Sequence, residues 1–273
     1  MDGLSKEASK QGELWGRGAR EYAAFQEPSF AELWSATLDA ARVEVGVRVL
    51  DAGCGAGGAC ALALARGAIA TGVDAAAEMI ATARARVAGA QFRIGEIDEL
   101  PFADCEFEAV VAVNALQTAV RPDRAVSELA RVCRVGGRVA IAAFADPAAS
   151  DMGRVFRAIR GLFERPPAGG GPFALSAEDA LRALVDRADA LRFESMSDAA
   201  YAYRYPDMET ALRGMMSAGA WRNARTANAI QPAGQVTPSP KVWTGEDNPD
   251  APAFRDWIPE SQWTAGMKAS RTA

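Results

Sequence analysis

The strongest chemical signal in the sequence is a glycine-rich loop between a short apolar run and a helical pattern. The loop extends from Asp51 to Gly57 and reads DAGCGAG. Glycine lets a chain turn tightly and lets a ligand touch the backbone, which a Cβ would prevent. Gly53, Gly55 and Gly58 also satisfy the pattern G-x-G-x-x-G, which can hold the pyrophosphate of NAD at a helix N-terminus. The loop alone leaves the ligand open, and a tight turn without a ligand is the simpler alternative.

Polar side chains also follow the next predicted strands. Asp74 ends the second strand, 21 residues after Gly53, where a carboxylate can accept hydrogen bonds from two ribose hydroxyls. The segment 96–102 follows the third strand, and the segment 113–117 follows the fourth. Because the carboxyl ends of parallel strands meet at one edge of a sheet, we expect these groups to surround one ligand.

The composition excludes several classes of chemistry and partner. None of the 273 residues is a histidine, so catalysis by imidazole is excluded. The four cysteines lack C-x-x-C spacing, which predicts neither a disulfide framework nor a metal site. A net charge of -5 without a basic run argues against nucleic-acid binding. With neither a long apolar run nor a leader pattern, we expect a cytoplasmic protein without a membrane span, as a monomer or homodimer.

Short apolar strands and helices are predicted to alternate along the chain around these residues. Strands are predicted at 47–52, 69–73, 91–94, 108–113 and 138–144, and helices at 59–66, 76–87 and 124–133. This alternation predicts an α/β fold with a doubly wound, mostly parallel sheet and helices on both faces. Two helices are expected before the first strand, and one more strand near 191–196.

Three regions are predicted along the chain. Residues 1–45 form an N-terminal helical cap, residues 46–221 a ligand-binding domain, and residues 222–273 an irregular tail with proline and tryptophan. An insertion at about 148–175 follows the fifth strand and has the composition of a lid. Its apolar helical stripe consists of Met152, Val155, Phe156, Ile159 and Phe163. We expect no regular strand in the tail, and 201–205 is the best substitute for a last strand.

Five motifs of the sequence resemble those of the class I S-adenosylmethionine (SAM) dependent methyltransferases, in the group similar to ubiquinone and menaquinone C-methyltransferases. They read VRVLDAGCGAGG, GVDAAAEMI, GEIDELPF, FEAVVAVNALQ and ELARVCRVGGRVAIAAF. Because they occur in this order over roughly residues 10 to 215, they are more specific than the glycine loop alone. The resemblance implies a Rossmann-like fold, SAM as cofactor with S-adenosylhomocysteine as product, and a small aromatic or lipophilic acceptor.

The resemblance also implies a set of cofactor-binding residues and no metal. The set is Asp51, Ala52, Gly53, Cys54, Gly55, Gly57, Asp74, Ala75, Met79, Glu96, Ile97 and Asn114, with Trp15, Arg20 and Tyr22 from the first helix. The glycine loop would line the methionine part of SAM, Asp74 would bind the ribose diol, and Asn114 would face the sulfonium or amino group. Met79 would pack on adenine, although an apolar residue at its spacing is as often ordinary core.

The chain departs from this family shortly after the fourth strand, where relatives commonly carry a histidine and this chain has Gln117. Methyl transfer from a sulfonium depends mainly on an in-line nucleophile in a dry site. We therefore expect an acceptor that ionises easily or a carboxylate base, with Gln117 and Asn114 as positioning residues and no assigned catalytic residue. Two alternatives stay open: a SAM-binding protein without transferase activity, and an NAD-linked oxidoreductase.

Overall fold

A sheet of five parallel strands forms the centre of the computed structural model, which describes residues 4–160, 171–219 and 267–270. The strands are β1 (Arg48–Ala52), β2 (Ile69–Asp74), β3 (Gln91–Ile94), β4 (Phe107–Val113) and β5 (Cys133–Phe144). Their order across the sheet is β3-β2-β1-β4-β5. The direction of winding therefore reverses between β1 and β4, as the predicted doubly wound fold requires.

Helices cover the sheet on both faces. In the described part of the chain they are α1 (Lys6–Gly16), α2 (Ala19–Glu21), α3 (Ala31–Ala40), α4 (Gly58–Ala65), α5 (Ala77–Arg86), α6 (Pro122–Val132), α7 (Asp151–Arg160), α8 (Glu178–Asp186) and α9 (Met208–Ser217). None of the helices described is both long and apolar enough for a membrane crossing.

Alternate residues of the central strands enter two separate hydrophobic cores. Leu50 of β1 and Val110 of β4 pack with α6 and α8 on one face. Their neighbours Val49 and Val111 pack with α3, α4 and α5 on the other face. This period of two explains why the strands are continuous apolar runs, since both faces of a covered parallel sheet are buried.

The segment before β1 is more irregular than two simple helices. α1 begins 13 residues before α2, with Ser5 as its N-cap. A π-helical segment, Tyr22–Gln26, and a 3-10 turn, Glu27–Phe30, connect α2 with α3. Both irregular segments make tertiary contacts. Gln26 accepts a hydrogen bond from Tyr205, and Glu27 accepts one from the glycine loop.

The C-terminal part of the chain corrects three predictions. Residues 267–270 form β6 (Met267–Ser270), which pairs antiparallel with β5. The expectation of a tail without a strand is therefore wrong, because an exposed strand edge can pair with any backbone, whatever its side chains. Neither 191–196 nor 201–205 forms a strand in the described structure. The rest of the predicted irregular tail, 222–266 and 271–273, lies outside the described residues.

The predicted insertion contains a helix, α7, which begins at Asp151. Met152 is buried, and Val155 and Phe156 are partly buried against the same hydrophobic cluster. The ring of Phe156 lies 5.6 Å from that of Phe173, edge to face. Phe163 lies outside the described residues. The helix thus packs on the body of the protein, and its role as a lid stays a prediction.

Candidate functional site

A cavity of about 120 Å³ lies at the carboxyl ends of β1 to β4. This edge, next to the reversal of the strand order, is where open α/β sheets bind ligands. The cavity is lined by Ala8, Gln11, Gly12, Trp15, Tyr22, Gly53, Gly55, Asp74, Ala75, Met79, Gly95, Glu96, Ile97, Asp98, Val113, Asn114, Ala115, Thr118, Ala119 and Val120. The polar groups predicted to follow successive strands are therefore brought together.

Ten residues predicted from the sequence line this cavity. They are Trp15, Tyr22, Gly53, Gly55, Asp74, Ala75, Met79, Glu96, Ile97 and Asn114. Six others do not line it. These are Asp51, Ala52, Cys54, Gly57, Arg20 and Gln117. Asp51 and Ala52 are buried inside β1 and Cys54 is buried beside it, whereas Arg20 is exposed on α2. Proximity in sequence to a ligand loop does not by itself bring a side chain to the ligand.

The glycines of the loop have different structural roles. Gly53 and Gly55 have φ angles of +79° and +53° and line the cavity, so their left-handed backbone brings the chain close to any ligand there. A Cβ on Gly57 would lie 3.0 Å from the Phe92 side chain. A Cβ on Gly58 would collide with the indole of Trp34. The last two glycines therefore serve helix and core packing.

Asp74 closes the second strand with its carboxylate in the cavity wall. One carboxylate oxygen accepts the backbone N–H of Gly55 at 2.9 Å, and the other accepts that of Ala76 at 2.8 Å. Burial raises the pKa of Asp74, and these two hydrogen bonds oppose the increase. Each oxygen keeps a further lone pair, so the carboxylate can still accept two hydroxyl groups.

The glycine loop is also held by Glu27, which the sequence analysis missed. Its carboxylate accepts the backbone N–H of Ala56 at 2.9 Å and pairs with Arg86 at 2.6 Å. The Glu27 side chain is 3% exposed, and burial raises its pKa although Arg86 opposes this. Arg86 also donates to the Ala56 carbonyl at 3.1 Å. No local pattern could have revealed this contact, because Glu27 and Ala56 are 29 residues apart.

Asp51 is buried in β1, where the glycine loop begins. Burial, the charge of Asp74 and that of Glu27 raise its pKa to about 7. The thiol of Cys60 lies 3.8 Å from its carboxylate and donates to it. Asp51 is therefore a candidate for protonation in the neutral range.

Helix α1 forms the roof of the cavity, with Ala8, Gln11, Gly12 and Trp15 in its lining; of these four residues the sequence predicted only Trp15. The backbone N–H and hydroxyl of Ser5 both donate to Glu96, with 2.8 Å between Ser5 Oγ and Glu96 Oε2. A Cβ on Gly12 would collide with the carbonyl of Ala75, so α1 approaches the second strand end backbone to backbone. Small residues four apart, at Ala8, Gly12 and Gly16, are the sequence signal that could have revealed this close packing.

Asn114 and Gln117 follow the fourth strand but differ in placement. Asn114 lines the cavity with φ +52°, and its backbone N–H donates to Ala142 at 2.8 Å. Asparagine tolerates this left-handed conformation better than most residues. The Oε1 atom of Gln117 is buried and has no hydrogen-bond partner among the described residues. A buried orphan acceptor is costly, so this atom is free to accept a donor.

An aromatic cluster of Phe30, Tyr201 and Tyr203 lies beyond Asn114. The Phe30 ring lies 5.4 Å from that of Tyr201 and 5.7 Å from that of Tyr203. The two tyrosine hydroxyls are 3.3 Å apart. Tyr22, which lines the cavity, contacts Phe30 at 6.2 Å between ring centroids. Residues 201–205 were expected only as a strand, because no local sequence pattern places these rings beside the fourth strand.

Comparison with known proteins agrees with this geometry. The family described as "Methyltransferase domain" matches residues 50–141, from the first strand into the fifth. Residues 50–141 belong to the methyltransferase-domain family. The match includes the glycine loop, Asp74, Glu96 and Asn114.

Two curated relatives of this methyltransferase domain carry methyltransferase names. A malonyl-(acyl-carrier protein) O-methyltransferase of Pectobacterium atrosepticum is 35% identical over 116 residues, which are 42% of this chain and 46% of that protein. A demethylmenaquinone methyltransferase of Clavibacter sepedonicus is 35% identical over 120 residues, 42% of this chain and 49% of that protein. The chain thus spans about half the length of the curated relatives that it matches.

The fold resembles that of solved methyltransferases as well. A SAM-dependent methyltransferase from Thermotoga maritima superposes with a TM-score of 0.51 at 20% identity, over 72% of this chain and 87% of that one. At this identity the likeness supports the fold alone. The doubly wound, Rossmann-like fold predicted from the sequence is therefore confirmed.

Proposed function

We propose that this chain transfers the methyl group of SAM to a small aromatic or lipophilic acceptor by in-line displacement. The observation that carries the proposal is the cavity of the methyltransferase domain, which joins Gly55, Asp74 and Asn114 at the strand ends. Curated relatives named methyltransferases support the same reaction class. The aromatic cluster beside Asn114 supports an acceptor with apolar surface.

The cavity has groups that suit the parts of SAM. Asp74 has lone pairs left for a ribose diol, and the backbone of Gly53 and Gly55 admits a ligand closely. Met79 offers an apolar surface for a purine at the same side of the cavity. When bound, SAM supplies a methyl group on a positively charged sulfur, which is already an activated electrophile. Buried carboxylates near the loop favour a cationic ligand over a neutral one.

The protein's own contribution to transfer would be placement and exclusion of water. Helix α1 covers the cavity, and its position is fixed by Ser5 and by the close contact of Gly12 with Ala75. At the Asn114 end the polar groups are neutral amide and hydroxyl groups, which can orient a nucleophile. The acceptor's lone pair would form a bond to the methyl carbon while the carbon–sulfur bond breaks and its electrons stay on sulfur.

Calorimetric titration with SAM, S-adenosylhomocysteine and NAD tests the cofactor. We expect binding of the first two and none of NAD. Asp74→Asn should weaken SAM binding by about 1.5 to 3 kcal/mol, the cost of a charged hydrogen-bond partner. The matched control Glu99→Gln removes a carboxylate that is 67% exposed and outside the cavity, and it should leave SAM affinity unchanged. Binding of NAD instead of SAM would contradict the proposal.

Turnover separates an enzyme from a binding protein. Purified protein is incubated with SAM and a panel of phenols, carboxylic acids and amines, and S-adenosylhomocysteine is quantified. Formation of the product only when an acceptor is present supports transfer. SAM binding without product from any class would favour the alternative of a SAM-binding protein without transferase activity.

A further inference from the structure

We propose that the Tyr201 hydroxyl and the Asn114 side chain form the hydrogen-bonding end of the acceptor site, which takes a phenol-type acceptor, a planar ring with an ionisable hydroxyl. This inference rests on the proposed function and adds a positioning residue and a substrate class to it. Asn114 belongs to the cavity, whereas Tyr201 comes from a segment 87 residues later in the chain.

The position of Tyr201 follows from the order of the strand ends. The cavity extends from the end of β3, at Glu96, past Asp74 on β2 to Asn114 on β4. If Asp74 holds the ribose, the transferable group lies towards β4, and an acceptor must approach from beyond Asn114. The aromatic cluster occupies that side, because Ala142 of the neighbouring β5 belongs to the same buried group as Tyr201.

The hydroxyl of Tyr201 has a defined hydrogen-bonding environment. It lies 3.3 Å from the Tyr203 hydroxyl. The Asn114 side chain is close enough to lower the pKa of Tyr201 by hydrogen bonding, although burial outweighs this and the pKa is raised overall. Tyr201 therefore stays protonated at neutral pH and can donate a hydrogen bond but cannot act as a base.

Neutral donors in an apolar site suit a phenolate oxygen. A donated hydrogen bond to a charged oxygen is about twice as strong as one between neutral groups. The carboxylates that line the cavity, Asp74, Glu96 and Asp98, lie at or after the ends of β2 and β3, and none of the lining residues between Val113 and Val120 is charged. An amine acceptor would therefore find no base at the Asn114 end to remove its proton. An acidic phenol loses its proton to water before binding, and the ring of Tyr22, which lines the cavity and lies 6.2 Å from that of Phe30, offers a contact to its ring.

The transfer step then balances without a protein base. The phenolate oxygen forms the new bond to the methyl carbon, the carbon–sulfur bond breaks, and S-adenosylhomocysteine leaves as a neutral thioether with an aryl methyl ether. Tyr201 is 3% exposed, so an acceptor reaches its hydroxyl from the cavity only after a rotamer change at Asn114 or Tyr22. Both side chains line the cavity and can move towards it.

The test uses 4-nitrophenol as a chromophoric probe with the full chain saturated with S-adenosylhomocysteine. Absorbance titration gives both its dissociation constant and its pKa when bound. We expect the bound probe to have a pKa about one unit below that of free 4-nitrophenol, because donors stabilise the phenolate. The methyl ether 4-nitroanisole, which cannot ionise, and 4-nitroaniline, an amine of similar shape, should both bind at least tenfold more weakly.

Two variants separate the role of Tyr201 from general packing. Tyr201→Phe should weaken 4-nitrophenolate binding about tenfold and raise the pKa of the bound probe towards that of the free probe. Tyr205→Phe is the matched control, because its hydroxyl donates to Gln26 at 2.7 Å, and its effect should stay within twofold. Affinity for S-adenosylhomocysteine should be unchanged in both variants.

Each outcome decides between the two proposals. If S-adenosylhomocysteine does not bind the unaltered protein, the proposed function fails and this inference fails with it. If it binds but the probe shows no lowered pKa, or if 4-nitroaniline binds equally well, only the phenol-type acceptor is overturned. If Tyr201→Phe changes neither the affinity for 4-nitrophenol nor the pKa of the bound probe, Tyr201 is not the positioning residue. The measurements on the unaltered protein decide the acceptor class even if Tyr201→Phe fails to fold.

Discussion

The glycine-loop side of the cavity and the aromatic cluster are built in opposite ways. On the loop side, the glycine loop and Asp74 lie at the ends of neighbouring strands, and the carboxylate of Asp74 fixes the backbone N–H groups of Gly55 and Ala76. In the aromatic cluster, Phe30 meets Tyr201 and Tyr203 from distant parts of the chain, through ring contacts and one pair of hydroxyls. The first side presents carboxylates and backbone, and the second presents rings and neutral hydroxyls.

This difference indicates which part of the site tolerates substitution. Strand-end geometry constrains the loop side, because a ligand must meet a left-handed backbone and a buried carboxylate there. The aromatic cluster depends only on side chains that pack, and such contacts tolerate exchange of similar volumes. We therefore expect substitutions on the loop side to lower stability and SAM affinity together. Substitutions in and around the aromatic cluster should lower stability and leave SAM affinity nearly unchanged.

The largest expected effect is the pH dependence that Asp51 gives to stability. Its pKa is raised from 3.8 to about 7 in the folded protein. Between these values the folded state keeps a proton that the unfolded state releases, so the free energy of unfolding falls as pH rises. The difference corresponds to about 4 kcal/mol. Asp51→Asn, which mimics the protonated acid, should lose that share of the pH dependence.

Urea unfolding of both proteins at about pH 4, 5.5 and 7.5 measures this. Asp39→Asn, whose side chain is 67% exposed, is the control and should follow the unaltered protein. If the free energy of unfolding depends on pH equally in the unaltered protein and in Asp51→Asn, the pKa of Asp51 is not raised in the folded state.

The next effect concerns the support of the glycine loop by Glu27. Glu27→Ala removes the acceptor of the Ala56 N–H and the partner of Arg86, and should cost about 3 kcal/mol of stability together with SAM affinity. Asp39→Ala breaks the more exposed pair with Arg66, whose Asp39 side chain is 67% exposed, and should cost below about 1 kcal/mol. Thermal and urea unfolding, with SAM titration, compare the two variants. Similar losses in both would remove the distinction between a buried and a surface pair.

A smaller effect is expected at Phe156, which packs against the same hydrophobic cluster as Phe30 and Tyr201. The side chain is partly buried against Phe173, so Phe156→Ala should cost about 2 kcal/mol, roughly half of a fully buried phenylalanine. SAM affinity should stay within about threefold because Phe156 does not line the cavity. Leu212→Ala, at a residue 53% exposed, serves as the control.

If Phe156 also belongs to a lid, acceptor turnover should fall at least tenfold in the folded variant, about 1.4 kcal/mol of transition-state stabilisation. A destabilised variant with full turnover would leave Phe156 as a core residue and α7 as part of the body. A loss of SAM affinity would break the separation between the two sides.

The smallest effect is expected at the roof. Ser5→Ala removes the N-cap of α1 and the side-chain hydrogen bond to Glu96, which should cost about 1 kcal/mol and speed SAM dissociation severalfold. Ser9→Ala, one turn further along the same helix, is the matched control. Unfolding and stopped-flow release measure the two effects. Unchanged release with a lower melting temperature would show that α1 caps the fold without closing the cavity.

Local sequence patterns were sufficient to predict the sheet and its ligand edge. The bounds 91–94 of β3 agree with the prediction. The other parallel strands overlap their predicted ranges, because buried strands are short apolar runs between glycine turns. Asp74 and Asn114 could be assigned to the cavity because each directly follows a strand. Periodicity and turn residues are local signals, and they were sufficient where neighbours in sequence are also neighbours at the site.

How distant segments meet could be seen only in the folded protein. Folding placed Glu27 on the loop, Ser5 on Glu96 and Tyr201 beside Asn114, and it paired β6 with the edge of β5. These contacts depend on which surfaces face one another after the sheet has formed. A buried carboxylate or ring has no preferred partner until packing brings one within hydrogen-bonding or van der Waals distance, so no spacing along the chain records it.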